Sequence, residues 1–210
     1  MSDFLLLDKP ISWTSHDLVD ALRRKLQIKR IGHAGTLDPM ATGLMIMLID
    51  KGTSRSQEFM GMDKTYRGSF RLGVTTDSWD LDSKIIEEKS IGDVSKTQIE
   101  TIFSSMMGEI LLNPPIFSAI RQGGQRAYTL ARSNQPVVLE PRKMRIDEFQ
   151  LEAFDFPEIY FKVSCSKGTY IRSLAHTVGE KLGCGATLSS LVRTRIGDLY
   201  LRDARQLQEL

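Results

Sequence analysis

Asp38 is the side chain in this sequence whose setting most clearly suits it for chemistry. It stands in Ile31-Gly32-His33-Ala34-Gly35-Thr36-Leu37-Asp38-Pro39-Met40-Ala41-Thr42-Gly43-Leu44, a glycine-bracketed turn that runs into an apolar stretch. Proline disfavours helical backbone at the residue before it, so Asp38 is predicted outside a helix. Gly35 and Gly43 permit sharp turns or the close approach of another backbone. An isolated Asp-Pro would be read first as an Asx-turn. A carboxylate held in so constrained a turn can also point into a cleft with little freedom left to lose, and when ionised it serves as a nucleophile or a base. Tyr170 and Arg172 form a second group. They are two residues apart, so on an extended segment they would face the same way.

The elements that must carry these residues can be read from periodicity. Residues 4–7 are predicted as a short buried strand, and Thr14 or Ser15 as the cap of a helix to about residue 27, with Leu18, Val19, Leu22 and Leu26 on one stripe. Residues 44–49 are continuously apolar, which predicts a central strand buried on both faces. Residues 64–73 alternate, placing Lys64, Tyr66, Gly68, Phe70 and Leu72 on one side of a strand. Ser95 caps a helix whose stripe of Ile99, Ile102, Phe103, Met106 and Met107 is expected to be core. Asn113-Pro114-Pro115 forces an extended segment. Strands are predicted at 145–151 and 159–165, a helix at about 171–182, a shorter helix at about 187–193 and a closing strand near 198–202. The irregular alternation predicts an α+β fold with a mixed, largely antiparallel sheet and flanking helices, not a regular parallel array.

Bulk properties narrow the function classes. The 210 residues suffice for one large domain or two small ones, and the 41% hydrophobic and 26% charged fractions are those of an ordinary globular protein. No run of eighteen apolar residues is present, so no membrane-spanning helix is expected. The first residues lack a basic leader and a small-residue cleavage site, and Cys165 and Cys184 have no metal-ligand spacing; a reduced, cytoplasmic setting is expected. The net charge of +2 is unevenly spread. Residues 121–145 hold six basic side chains against Glu140, a second cluster comprises Arg23, Arg24, Lys25, Lys29 and Arg30, and residues 77–109 hold eight acids against three lysines. Such polarity can present a phosphate-binding face despite a small total charge. Asp77, Asp80 and Asp82 match no calcium-loop spacing and are read as loop acids, with no metal expected.

The string around Asp38 resembles the central motif of the TruB family, the pseudouridine synthases that act on the TΨC arm of tRNA. The resemblance continues in the same order along the chain: Leu7-Asp8-Lys9-Pro10 with Trp13-Thr14-Ser15; Lys64-Thr65-Tyr66; Leu72-Gly73 with Thr76, Asp77 and Asp80; Pro114-Pro115-Ile116-Phe117-Ser118-Ala119; Arg126-Ala127-Tyr128-Thr129-Leu130-Ala131-Arg132; Gly168-Thr169-Tyr170-Ile171-Arg172-Ser173-Leu174; and Leu191-Val192-Arg193-Thr194. It implies a pseudouridine synthase fold with a central RNA-binding cleft, and isomerisation of uridine at position 55 of the tRNA TΨC loop without cofactor or metal.

The resemblance also implies roles for individual residues. Asp38 would be the catalytic carboxylate and Arg172 its ion-pair partner. Tyr66 would stack on the target base and help with its C5 proton, Tyr170 and Leu191 would line the base pocket, and His33 would enter the RNA stack beside the flipped uridine. Asp80 would lie near the rim and contact the target loop, and Lys9 with the basic segments would hold phosphates. His16 and His176 have no comparable context and are expected to cap or pack. Ser12 and Ser83 stand where the family usually has glycine, a difference that bears on loop geometry. Residues 1–210 are expected to be one catalytic domain without the C-terminal PUA domain of longer relatives, acting as a monomer. Two rival readings remain at this point: a non-catalytic tRNA-binding or folding module on the same scaffold, and a small-molecule glycosidase that would release free uracil.

Overall fold

The computed structural model describes residues 3–133 and 135–210. In chain order the first elements are strand β1 (Phe4–Lys9), helix α1 (Ser15–Leu26), β2 (Ile31–His33), β3 (Thr42–Ile49), α2 (Ser56–Met60) and β4 (Lys64–Leu72). There follow β5 (Val74–Thr76), β6 (Ile85–Glu88), α3 (Lys96–Ser105), β7 (Gly108–Leu112), β8 (Arg121–Gln122), β9 (Gln125–Arg126) and α4 (Ala127–Arg132). The chain continues through β10 (Arg142–Asp155), β11 (Glu158–Cys165), α5 (Ile171–Leu182), β12 (Ala186–Ile196) and β13 (Leu199–Tyr200). Two compact units result, both discontinuous in sequence. One comprises Met1–Gly68, Ser164–Lys167 and Ser190–Leu210, and the other Ser69–Val163 and Gly168–Ser189. β4, β11 and β12 each contribute residues to both.

The first unit is organised on β3. Seven of its eight residues are buried, as the unbroken apolar run requires of a strand covered on both faces. β1 pairs with it antiparallel from Phe4↔Leu48 to Lys9↔Gly43. β2 also pairs antiparallel, from Ile31↔Ile49 to His33↔Met47. β12 runs parallel to β3, with Val192 opposite Thr42 and Arg193 opposite Gly43. Ala34, Leu44, Ile46, Leu48, Phe59 and Ile196 form its core. Helix α1 begins where Thr14 and Asp17 close a reciprocal capping box, and it turns Leu18, Val19 and Leu22 inward.

In the second unit β4, β11, β10 and β7 lie side by side in that order. β10 pairs antiparallel with β7, and β5 with β6. Its core is aromatic: Phe103 stacks on Phe149 at 3.7 Å and Phe70 on Phe161 at 4.1 Å. Ser95 caps α3, which buries Ile99 and Phe103 as expected, and Met106 just beyond it is buried too. Met107 is 41% exposed and is not core. Helix α5 spans the predicted residues and ends at Gly183, whose φ of 80° is the left-handed conformation glycine adopts without strain.

The predicted short helix at 187–193 is absent; those residues belong to strand β12. Leu188, Leu191 and Val192 have helical spacing, but Thr187, Val192, Thr194 and Ile196 are β-branched and favour the extended chain. Near 198–202 the strand is shorter than predicted, and a 3₁₀ turn takes over at Leu201–Asp203.

Candidate active site

The turn carrying Asp38 is tied down at several backbone points within the first unit. The Ala41 amide donates to the Asp38 carbonyl at 3.0 Å, and the Ser12 amide to the Pro39 carbonyl at 2.9 Å. The buried Ser15 hydroxyl donates to the Leu37 carbonyl at 3.2 Å and accepts from the Leu37 amide at 2.9 Å. Leu37, Ala34 and Ala41 are buried, whereas Asp38 is half-buried and outside any helix, as Pro39 predicts. The hydrophobic neighbours anchor the turn and leave its carboxylate at the boundary with solvent.

Lys9 has a different place from the expected one. It is fully buried, and its ammonium donates to the carbonyls of Trp13 at 2.6 Å, Pro10 at 2.9 Å and Pro39 at 3.3 Å. With its three donors engaged inside the protein it is not a phosphate contact. It is a strut beneath the residue that follows Asp38. Burial pushes the Lys9 ammonium down to about 8, opposed first by the Asp38 carboxylate and reinforced by the Arg193 guanidinium. At neutral pH it remains mainly charged and adds a positive field near Asp38.

The motifs assign no role to Arg193, although it lies in the block Leu191-Val192-Arg193-Thr194. It is only 1% exposed. Its Nε donates to the Leu44 carbonyl at 2.8 Å, Nη2 to the Gly35 carbonyl at 3.1 Å and Nη1 to the Thr36 carbonyl at 3.4 Å, with Met45 Sδ at 3.0 Å from Nη2. Its backbone lies against Gly43: a Cβ there would stand 2.4 Å from the Arg193 carbonyl oxygen, and the φ of 103° is itself glycine's territory. The available signal was period two, which puts Arg193 on the inward face with buried Leu191.

Tyr66 on β4 is buried, and burial raises its phenol above the usual range, with the Arg193 charge opposing. The phenol is therefore neutral at physiological pH. His33 ends β2 half-buried; burial first, then the charges of Arg193 and His16, lower its pKa and favour the neutral ring. Lys64, in the same block as Tyr66, is buried with its ammonium on the Met60 and Met62 carbonyls, and burial pushes it down to about 8.

The second unit brings together Arg172 and Asp80. Tyr170 is the N-cap of α5 and Arg172 lies in its first turn, so the two are not on an extended segment and the same-face expectation fails. Arg172 is 5% exposed and Asp80 6%. Arg172 Nη1 stands 3.5 Å from Asp80 Oδ2 and donates to the Ser78 carbonyl at 3.0 Å, and Nη2 donates to the Phe117 carbonyl at 3.1 Å. Asp80 Oδ1 accepts from the Ser78 hydroxyl at 2.6 Å. Asp80 is thus a buried partner of Arg172, which corrects its expected place on an RNA-facing rim. The loop is held further by Trp79, which stacks on His176 at 4.2 Å and fulfils the packing role expected of that histidine. Among the described residues, no group of three or more His, Cys, Asp or Glu side chains is arranged to hold a metal ion.

A family model described as TruB family pseudouridylate synthase (N terminal domain) matches residues 23–171. The chain is 46% identical to the tRNA pseudouridine synthase B of Opitutus terrae, with 98% of this chain and 86% of that protein covered. It is 43% identical to the tRNA pseudouridine synthase B of Phocaeicola vulgatus, covering 98% and 90%. A chain in the crystal structure of a Cbf5-Nop10-Gar1 complex is similar with a TM-score of 0.78 and 28% identity over 99% of this chain. This chain spans 53% of that one. A chain in an H/ACA RNP bound to a substrate RNA containing 2'-deoxyuridine gives 0.74 and 26% over 99% of this chain, which spans 51% of its length.

Proposed function

The chain belongs to the TruB family of pseudouridylate synthases, and from that premise we propose that it isomerises uridine to pseudouridine in tRNA, at position 55 of the TΨC loop. The N1–C1′ bond breaks, the uracil rotates, C5 bonds to C1′, and the C5 proton is lost while N1 gains one, so no atom is added or removed overall. The detached uracil can leave as an N1 anion, which removes the need for the acid partner of a two-carboxylate glycosidase. One ionised carboxylate suffices as nucleophile or base, and Asp38 is that group.

The observation that carries this reading is the anchoring of a half-buried Asp38 in a turn held by Ser15, Lys9 and Arg193. Preorganisation of this kind brings a reacting group close to its attacking geometry before substrate arrives. Tyr66, as a neutral phenol, covers the flipped base. His33, as a neutral ring, fills the stack that the uridine leaves. Tyr170 and Leu191 are each assigned to binding of the base, and Arg172 to the electrostatics of the reaction, from their motifs alone. The exposed Arg24, Lys25, Lys29 and Arg30 supply phosphate contacts that add affinity without sequence choice. We take the chain to act as one catalytic domain and as a monomer, in the cytoplasm, without metal or cofactor. No helix among the described residues is long and apolar enough to cross a membrane, and neither Cys165 nor Cys184 is in a disulfide.

The test is pseudouridine formation on a tRNA transcript by wild type and Asp38→Asn. Wild type forms pseudouridine in the TΨC loop, and the variant binds the transcript without converting it. A wild type that binds RNA yet makes no pseudouridine would establish the non-catalytic reading, and uracil release from free uridine would establish the glycosidase.

A further inference from the structure

Arg193 is a fully buried cation on the last long strand, and its contacts within the first unit are peculiar. A buried guanidinium is ordinarily matched by a carboxylate. Among the described residues no carboxylate oxygen pairs with Arg193; three backbone carbonyls and a thioether surround it instead. Two of those carbonyls, of Gly35 and Thr36, belong to the turn that leads into Asp38, and the third, of Leu44, belongs to the strand that leaves it. The turn is therefore gripped on both sides of Asp38 by one planar, rigid group. A guanidinium presents five donors in a fixed fork, which makes it better suited than an ammonium to hold several carbonyls at set angles.

Geometry on the other side of the contact is equally restrictive. Gly43 leaves room for no side chain because the Arg193 backbone occupies that space, and a Cβ on Gly35 would stand 3.5 Å from Arg193 Nη1. Gly43 is thus fitted to this one residue, whereas Gly35 is required by its own φ of 97° and would meet Arg193 only at ordinary contact distance. Tyr66 lies within electrostatic reach of the same guanidinium, which opposes the upward push of burial on its phenol.

We propose that Arg193 is a positioning residue that sets the Asp38 turn and the Tyr66 hydroxyl in a common frame, and that its charge adds to that of Lys9 in the positive field of this part of the site. The inference rests on Asp38 being the catalytic group. It assigns Arg193 no contact with substrate. A positive field here has a use in the reaction, since negative charge develops on the departing uracil and fixed charges in a dry site act on it strongly.

The experiment uses the full chain with Arg193→Lys and Arg193→Met, alongside wild type and Asp38→Asn. Three quantities are read: the single-turnover rate of pseudouridine formation at saturating enzyme, the Kd for the tRNA transcript, and the pKa of His33 by NMR. Misplacing a catalytic group by an ångström lowers a rate about 100-fold, so Arg193→Met should lose roughly that factor while its Kd stays within about threefold of wild type. Arg193→Lys retains charge and approximate bulk but not the fork; it should fold and still lose roughly tenfold or more in rate.

The His33 pKa separates positioning with a field from packing alone. It should rise in Arg193→Met, where the opposing charge is gone, and stay near the wild-type value in Arg193→Lys. If Arg193→Met does not fold, Arg193→Lys decides through its rate. A wild-type rate in Arg193→Lys, or an unshifted His33 in a folded Arg193→Met, would overturn the proposal. Full activity of Asp38→Asn would instead overturn the assignment of Asp38, and so is distinguishable.

Discussion

Replacing Lys9 by Met separates two accounts of a charged residue that the sequence alone made to look like a phosphate contact. Methionine is close in length and fills the same buried channel, so little cavity forms. What disappears is the ammonium with its bonds to Trp13 at 2.6 Å, Pro10 at 2.9 Å and Pro39 at 3.3 Å. Hydrogen bonds from a charged donor contribute roughly 1.5–3 kcal/mol each. Burial of the charge opposes this, so the low end of the range for the two short bonds is appropriate, and the long bond adds little. The expected loss is about 3 kcal/mol, or a thermal midpoint lower by about 6–12 °C for a chain of this size. Release of the Pro39 carbonyl loosens the residue next to Asp38, and the single-turnover rate should fall about 10–100-fold. The decisive assay is the salt dependence of tRNA binding. A lysine that neutralised a phosphate would reduce the slope of log K against log salt by about 0.7–0.9 on removal. The strut reading expects that slope to be unchanged. A Lys9→Met protein of wild-type thermal midpoint with a slope shallower by that amount would refute the reasoning.

Asp80→Asn removes one partner of a buried pair and leaves Arg172 on the Ser78 and Phe117 carbonyls; a loss of about 3 kcal/mol in urea unfolding is expected, at the low end for such pairs, together with a slower single-turnover rate. Lys64 and Lys9 are both pushed from 10.5 down to about 8 by burial. Between those values the unfolded chain binds more protons than the folded one, so stability rises with pH across that window and falls again as pH drops through about 8. Urea titrations at several pH values should show wild type gaining on Lys64→Met as the medium becomes more alkaline, and a pH-independent difference between them would contradict the burial of a charged Lys64.

Legibility in the sequence followed physical cause. Helix α5 and strand β3 were readable because their burial is one-sided or complete, and the apolar pattern records it directly. β12 misled because its inward face carries Arg193, which breaks the apolar alternation and leaves Leu188, Leu191 and Val192 in a spacing that imitates a helix. Tyr170 and Arg172 misled because one caps and the other opens α5, a boundary that moves the second side chain by a helical and not a pleated step. The candidate residues themselves are proposed from the motifs. Their surroundings are not, since a lysine or aspartate in a sequence does not announce whether it will be solvated. Lys9 and Lys64 are buried among backbone carbonyls, and Asp80 among Ser78, Asp82 and Arg172, partners that no pattern of residue types reveals.

The grip of Arg193 on the Gly35 carbonyl joins residues 158 positions apart in the chain. Ribosomes add roughly 5–20 residues each second, so about 8–30 s separate the emergence of the turn's residues from the synthesis of the arginine that fixes them. Throughout that interval the nascent chain has its carboxylate but not the clamp that aims it. Competence arrives late and abruptly, with strand β12, and an interrupted translation product ending before residue 193 is expected to be inert toward RNA chemistry.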